Sequence, residues 1–312
     1  MEDRKDIELK KNIAQFRKDS RIKECFHFDK EKCANRIISA HSIQNNRVLN
    51  LIEDEVNNNS IVYSLLNRTY DNNGSPNGFE PLGRKAASTF FGFCGFHDQN
   101  VFKPIEHNSV DLENDQHCFL LSYRAFAKDY HAKKETIQGY TTSQFYQKKE
   151  NKFFKENIVA GSKIGLRDCS IVKKRMNEIL RIENFDELDY FTYKLDYMVP
   201  IALAASFNPE YSYKNKILNK STDPEVIYEF VNFVIQPTDI GETLILFSCL
   251  PEHKKSVQFL DDLADLKPLK LEKSLDYLAG NNSVMVTDQN IGTRGSLQLP
   301  VCPMMNNPRF SK

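Results

Sequence analysis

Apolar positions change their spacing several times along the chain, and the changes outline its elements. Ile7, Leu9, Ile13 and Phe16 recur among charged residues, which predicts a helix over about 4–18. The segment 24–40 reads differently, as a charged, cysteine-bearing turn followed by a short strand in "NRIISA". "HSIQNNRVLNLIEDEV" then predicts a helix with Val48, Leu49 and Ile52 on one face. "NNNS" and "TYDNNGSPNGFEPLG" break the regularity, the second being the strongest loop signal in the chain.

From about 113 to 137, Phe119, Leu120, Tyr123, Phe126 and Tyr130 return at three- and four-residue intervals, the mark of a long helix. Two further helices are predicted over about 142–158 and 163–182, with Gly139 and Gly161 between the three, giving an antiparallel helical set. Near Asn184 the pattern turns to strands. "YFTYKLDYMVPIALAASF" is aromatic and aliphatic, "VIYEFVNFVIQP" alternates through Val226, Tyr228 and Phe230, and "ETLILFSCLP" is a further strand. "QPTDIGE" joins the last two as a hairpin turn, and short helices follow at about 251–263 and 270–279. The expected fold class is α+β: a zinc unit within 1–110, a helical region over 111–183, and a C-terminal region over 184–312 carrying a small antiparallel sheet.

Composition narrows the class of partner only locally. Lys plus Arg equals Asp plus Glu at 42 each, so global charge selects none. The longest apolar stretch, about 198–207, is too short to span a bilayer, and the charged N-terminus lacks the apolar region of a secretory signal. A cytoplasmic protein with reduced cysteines is expected, and an odd total of 7 cysteines fits that expectation.

Chemistry concentrates in two windows. "ECFHFDKEKCANRIISAH" holds Cys25, His27, Cys33 and His41, and "CGFH" holds Cys94 and His97. Zinc takes four such sulfur and nitrogen ligands in a tetrahedron. In "CGFH" the glycine would permit the tight turn that aims both ligands at one ion. The C-x7-C spacing of the first window requires "FHFDKEK" to loop outward. Two ligand sets are open: Cys25, Cys33, Cys94 and His97, which leaves His41 for other work, or Cys33, His41, Cys94 and His97 with Cys25 spare. His107, His117, His131 and His253 lack matching neighbours and read as surface or core residues, as do Cys118, Cys169, Cys249 and Cys302.

The order of knuckle, strand with an embedded histidine, loop, and second knuckle opening a helix resembles the treble-clef zinc fold. More narrowly, residues 24–105 resemble the HNH (His-Me finger) nucleases. That resemblance implies structural zinc on Cys25, Cys33, Cys94 and His97, with His41 as general base on water. It also implies Asp98 or Asn100 as a residue on the side of a catalytic Mg²⁺ or Mn²⁺ ion. The family carries an acidic or histidine ligand just before its catalytic histidine, where this chain has Ala40. A role in bacterial defence against foreign nucleic acid would suit such a module.

Residues 128–182 carry 13 Lys or Arg against 6 Asp or Glu, a local excess suited to the phosphates of DNA or RNA. Tyr140, Phe145, Tyr146, Phe153 and Phe154 are interleaved there, as core residues or as stacking platforms for bases. A binding module without catalysis, recognising nucleic acid or a protein partner, is the alternative. A homo-oligomer would follow from an apolar sheet face. Phosphate-loop, dinucleotide, nucleophile-elbow and H-E-x-x-H motifs are absent from the sequence, and "GSKIGLRD" reads as a helix-linking turn.

Overall fold

The computed structural model describes residues 4–34, 36–64, 80–143 and 152–267, part of 270–275, and 284–286. The chain is mixed α+β with antiparallel sheets. Its elements are α1 (Arg4–Ser20), β1 (Ile37–His41), β2 (Asp54–Val56), β3 (Asn59–Ser64), β4 (Glu80–Gly83), β5 (Thr89–Cys94), α2 (Gly95–His107), α3 (Asp115–Thr142), α4 (Lys152–Ile182), β6 (Asp189–Leu195), β7 (Ile201–Phe207), β8 (Val231–Pro237), β9 (Thr243–Cys249), α5 (Lys254–Ala264) and β10 (Val284–Val286). Among the described residues no helix is long and apolar enough to cross a membrane.

β1 and β5 form a two-stranded antiparallel sheet. The larger sheet runs β2-β3-β10-β7-β8-β9-β6, with β4 on β3. Its strands come from both ends of the chain, because β10 pairs with β3 on one side and β7 on the other. Every residue of β8 and β9 is buried. One face, with Ala202, Ala204, Val234 and Leu246, packs in the core that holds α3. The other, with Leu203, Phe233, Ile235, Ile245 and Phe247, meets Phe259, Leu260 and Leu263 of α5. Burial on both faces explains why these strands read as continuous apolar runs.

α3 is the axis of the molecule. It is buried without interruption from His117 to Ala127, because the β1–β5 unit, α4 and the large sheet all pack on it. Tyr123 and Phe126 join Phe26 and Phe93 in an aromatic cluster. Polar ties fix its register. Tyr123 donates to Asn177 Oδ1 at 2.6 Å, Ser248 and Ser122 meet at 2.7 Å, and Lys128 Nζ donates to the Ala204 carbonyl at 3.2 Å.

Several predicted elements differ from the observed ones. The helix expected from His41 does not form. Gln44 O accepts from both Val48 and Leu49, one 3-10 turn follows at Leu49–Leu51, and β2 begins at Asp54. Val48, Leu49 and Ile52 are nevertheless buried. "NNNS" is a hairpin turn between β2 and β3, with Asn57 and Asn58 both left-handed at φ 52 and 62, a conformation asparagine tolerates. The end of the long predicted loop is strand β4, while 65–79 lie outside the described residues.

Neither Gly139 nor Gly161 separates helices. Gly139 lies inside α3 and Gly161 inside α4, so "GSKIGLRD" is mid-helix. The start of the helix expected over 142–158 falls on 144–151, outside the described residues. Val226, Tyr228 and Phe230 precede β8 instead of forming it. Their backbone is held by side chains: Arg167 donates to the carbonyls of Pro224 and Val226, Asp168 Oδ2 accepts from Tyr228 N, and His253 Nδ1 accepts from Phe230 N. Of the helix expected at 270–279, the described residues between 270 and 275 are helical.

Candidate metal centre

The segment before β1 runs beside β5. Glu24 N donates to Phe91 O at 3.2 Å and Phe26 N to Gly92 O at 2.6 Å, which clamps Cys25 between two backbone bonds. Gly92 is required here, because a Cβ would stand 2.2 Å from the Phe90 ring. Of "FHFDKEK", Phe26 and His27 are buried, and the chain loops outward only over 28–32 before returning in a compact turn. Asp29 N donates to His27 Nδ1, Asp29 Oδ1 accepts from Lys32 N, and Cys33 N donates to Lys30 O. Cys94 ends β5 and caps α2, its sulfur accepting from His97 N at 3.4 Å. The tight approach of Cys94 and His97 is therefore the first turn of a helix. Gly95 has no left-handed φ, which corrects the reason given for that glycine.

Cys25, Cys33, Cys94 and His97 converge, with their ligand atoms all within 4.8 Å of one another. The three sulfurs lie 3.4, 3.6 and 3.2 Å from His97 Nδ1. A tetrahedral zinc with bonds of about 2.3 Å to sulfur and about 2.0 Å to nitrogen has S···N edges of about 3.5 Å. The set could hold a metal ion, and its chemistry is consistent with zinc. Burial pushes Cys33 up to about 12, with Cys25 beside it adding to the rise, and burial also raises Cys25. Burial would raise Cys94 as well, but backbone donation from His97 and Ala34 and the neighbouring thiols bring it below the ordinary value. A dication bound here would take all three as thiolates.

His27 was not assigned to the centre from the sequence, yet its ring lies on that of His97 at 3.8 Å. Burial, then His97, holds it down at about 4, so it is neutral at pH 7. His117, His131 and His253 are buried, His107 is exposed, and Cys118, Cys169 and Cys249 are buried free thiols; Cys302 lies outside the described residues.

His41 is not among these four residues. It ends β1, half-buried, with Nδ1 3.3 Å from Ser88 Oγ. Burial lowers its pKa, against a hydrogen bond to the Ala87 backbone that raises it. Ser88 is left-handed at φ 59, and it organises this corner. Its carbonyl accepts from Ser42 N, and its hydroxyl meets Ile43 N. The Arg124–Glu106 ion pair, 2.6 Å long, acts electrostatically on both His41 and Asp98. Asp98 lies on the inner side of α2, one turn before buried Phe102. Its Oδ1 is buried without a protein partner, and burial raises its pKa. Asn100 stands apart from this set. It is exposed, and its amide donates to Phe96 O of its own helix at 2.8 Å. Arg124 and Glu106 were missed from the sequence. The signal available was an arginine among the apolar positions of a long helix.

Comparison with known proteins finds no matching family model, no matching curated protein and no matching solved structure.

Proposed function

We propose that the chain is a zinc-stabilised, metal-dependent nuclease of the His-Me finger kind. Four protein ligands close the metal centre, which is the pattern of a structural zinc and leaves no position for substrate. The loop before β1, the β1–β5 pair and α2 opening at Cys94 support a treble-clef reading of this unit. Chemistry is assigned to the second cluster. The observation that carries it is that the Arg124–Glu106 pair, its arginine buried and its carboxylate half-buried, acts electrostatically on both His41 and Asp98, which lie on different elements, while Asp98 Oδ1 has no protein partner.

In this reading His41, kept neutral by burial and oriented by Ser88 and Ala87, takes the proton of the attacking water. Arg124 offers positive charge to the phosphate. Asp98 would hold Mg²⁺ or Mn²⁺, which would supply further neutralisation of phosphate charge. Asn100 has no part in it.

The test is degradation of plasmid DNA, single-stranded DNA and RNA by purified protein with Mg²⁺ or Mn²⁺. His41→Ala should abolish cleavage while zinc content stays at one equivalent. Loss of zinc in that variant, or no cleavage by the parent protein, would sink the assignment. A second reading, a zinc-stabilised binding module, is favoured by a basic concavity beside the metal centre. It predicts nucleic-acid binding with no cleavage under any metal.

A further inference from the structure

A cavity of about 420 Å³ opens between the 26–30 loop and the α3–α4 pair. Lys30, Lys173, Lys174 and Arg181 line it with the carboxylate of Glu178. Glu24, outside the lining, also acts electrostatically on Lys30 and Lys173, and the Lys30 ammonium donates to the Cys25 carbonyl. The Glu178 carboxylate is already turned to Arg175, 3.9 Å away. The cations come from two elements distant in sequence and converge on a concave surface, which solvation of one helix face does not require. Lys174 and Arg181 make no ion pair among the described residues. Asn177 also lines the cavity, and its Oδ1 is taken by the Tyr123 hydroxyl, which leaves its NH₂ group to donate.

Two rings complete the walls. Tyr130 packs on Phe26 at 5.4 Å, and the Lys173 ammonium sits 5.1 and 5.6 Å from these two ring centroids. Phe28 is 38% exposed, far more than a core phenylalanine, yet it is not loose. It stacks on His27 at 4.3 Å, and His27 stacks on His97 of the metal centre. A positively charged groove with a tethered, solvent-facing ring is the arrangement that holds a phosphate and stacks a base.

We propose that this cavity binds a nucleotide unit, its phosphate held by Lys174 and Arg181, with Lys30 and Lys173 adding positive charge, and its base against Phe28. The shared chemistry covers a free nucleotide and a unit within a strand. Because the residues differ from His41 and Asp98, this site and the nuclease assignment fail separately: binding without cleavage leaves this site standing.

The experiment is fluorescence anisotropy of a labelled short oligothymidylate on the intact protein, without added Mg²⁺ or Mn²⁺, with ATP and inorganic phosphate as competitors. Lys174→Glu with Arg181→Glu should weaken binding by about tenfold or more at low salt. Phe28→Ala should weaken it by about fivefold or more and leave competition by inorganic phosphate in place. Lys216→Glu, exposed and elsewhere, should stay within about twofold of the parent. Competition by ATP identifies a site open to free nucleotides, and its absence identifies one that reads a strand; either supports the proposal. It is overturned if neither oligothymidylate nor ATP binds, or if Lys216→Glu weakens binding as much as the paired reversal. It is likewise overturned if polyglutamate displaces the oligonucleotide and Phe28→Ala has no effect, which would point to an acidic protein partner.

Discussion

His27 lies nearly parallel to His97, with ring centroids 3.8 Å apart and planes 16° apart. His97 Nδ1 lies 3.4, 3.6 and 3.2 Å from the sulfurs of Cys25, Cys33 and Cys94, and its Nε2 is buried with no hydrogen-bond partner. The ring is therefore held by stacking, where metal-bound histidines are usually held by a second hydrogen bond. If this set holds zinc as proposed, Cys25→Ser, Cys33→Ser, Cys94→Ser or His97→Ala should lose the metal, and several kcal/mol of stability with it. His27→Ala should keep its zinc and cost about 1 kcal/mol, the worth of an aromatic pair. Elemental analysis and urea unfolding read the two quantities. Stoichiometric zinc retained by a Cys25→Ser/His97→Ala protein would place the metal elsewhere.

Arg124 and Glu106 join α3 to α2 through a 2.6 Å ion pair, and the guanidinium also lies 3.9 Å from the Phe102 ring centroid. Arg124 is 3% exposed and Glu106 31%, so the two partners are unequal. Removing the carboxylate strands a buried cation, while removing the arginine leaves a carboxylate that can turn to water. Glu106→Ala should therefore destabilise by about 3 kcal/mol and Arg124→Met by less. The double variant should cost less than the sum of the two. Urea denaturation of the four proteins tests this, and strict additivity would show that the pair is not coupled.

The candidate metal centre was legible because its signal is chemical and local: cysteines and histidines in two short windows name their own partners. Helices α1 and α3, the β8–β9 hairpin and the strands of the C-terminal sheet were legible from spacing. What spacing missed were places where side chains replace the ladder. The backbone before β8 is tied to Arg167, Asp168 and His253, which lie far away in sequence. The missing helix after His41 reflects tertiary context: Arg84 donates to the Asn45 carbonyl, and the apolar residues are buried without a helix. His41 and Asp98 were named from the sequence, but the Arg124–Glu106 pair that acts electrostatically on both belongs to tertiary packing.

Two glycines that look alike in sequence should respond oppositely to alanine. A Cβ on Gly139 of α3 would meet Phe16 Cζ and Ser20 Cβ at 2.7 Å, where α1 crosses. One on Gly161 of α4 would meet nothing within 4 Å. Alanine favours a helix interior by about 1 kcal/mol over glycine. Gly161→Ala should gain up to about that much. Gly139→Ala should lose about 1–2 kcal/mol, as overpacking exceeds propensity. Truncating Phe16 in the Gly139→Ala background should recover part of the loss. Chemical denaturation midpoints decide it, and a stabilised Gly139→Ala would mean that α1 does not press on α3 there.

Two of the buried histidines outside the Cys/His cluster share one arrangement that makes stability depend on pH. His253 Nδ1 accepts from Phe230 N, and His117 Nδ1 accepts from Asp111 N. A protonated imidazole accepts nothing, so the fold holds both rings neutral. Burial lowers both pKa values, against Glu229 and Glu252 at His253 and against Asp111 at His117. The sign follows from which state takes the proton first. Each folded value lies below the unfolded one of about 6.5, so the unfolded chain protonates first as pH falls. Stability contributed by these residues is complete above that pH and declines below it, until the folded values are passed. Urea unfolding at pH 7.5 and at pH 5.5 should show the loss, and His253→Gln should reduce it. A parent protein equally stable at both pH values would show that neither ring is held neutral.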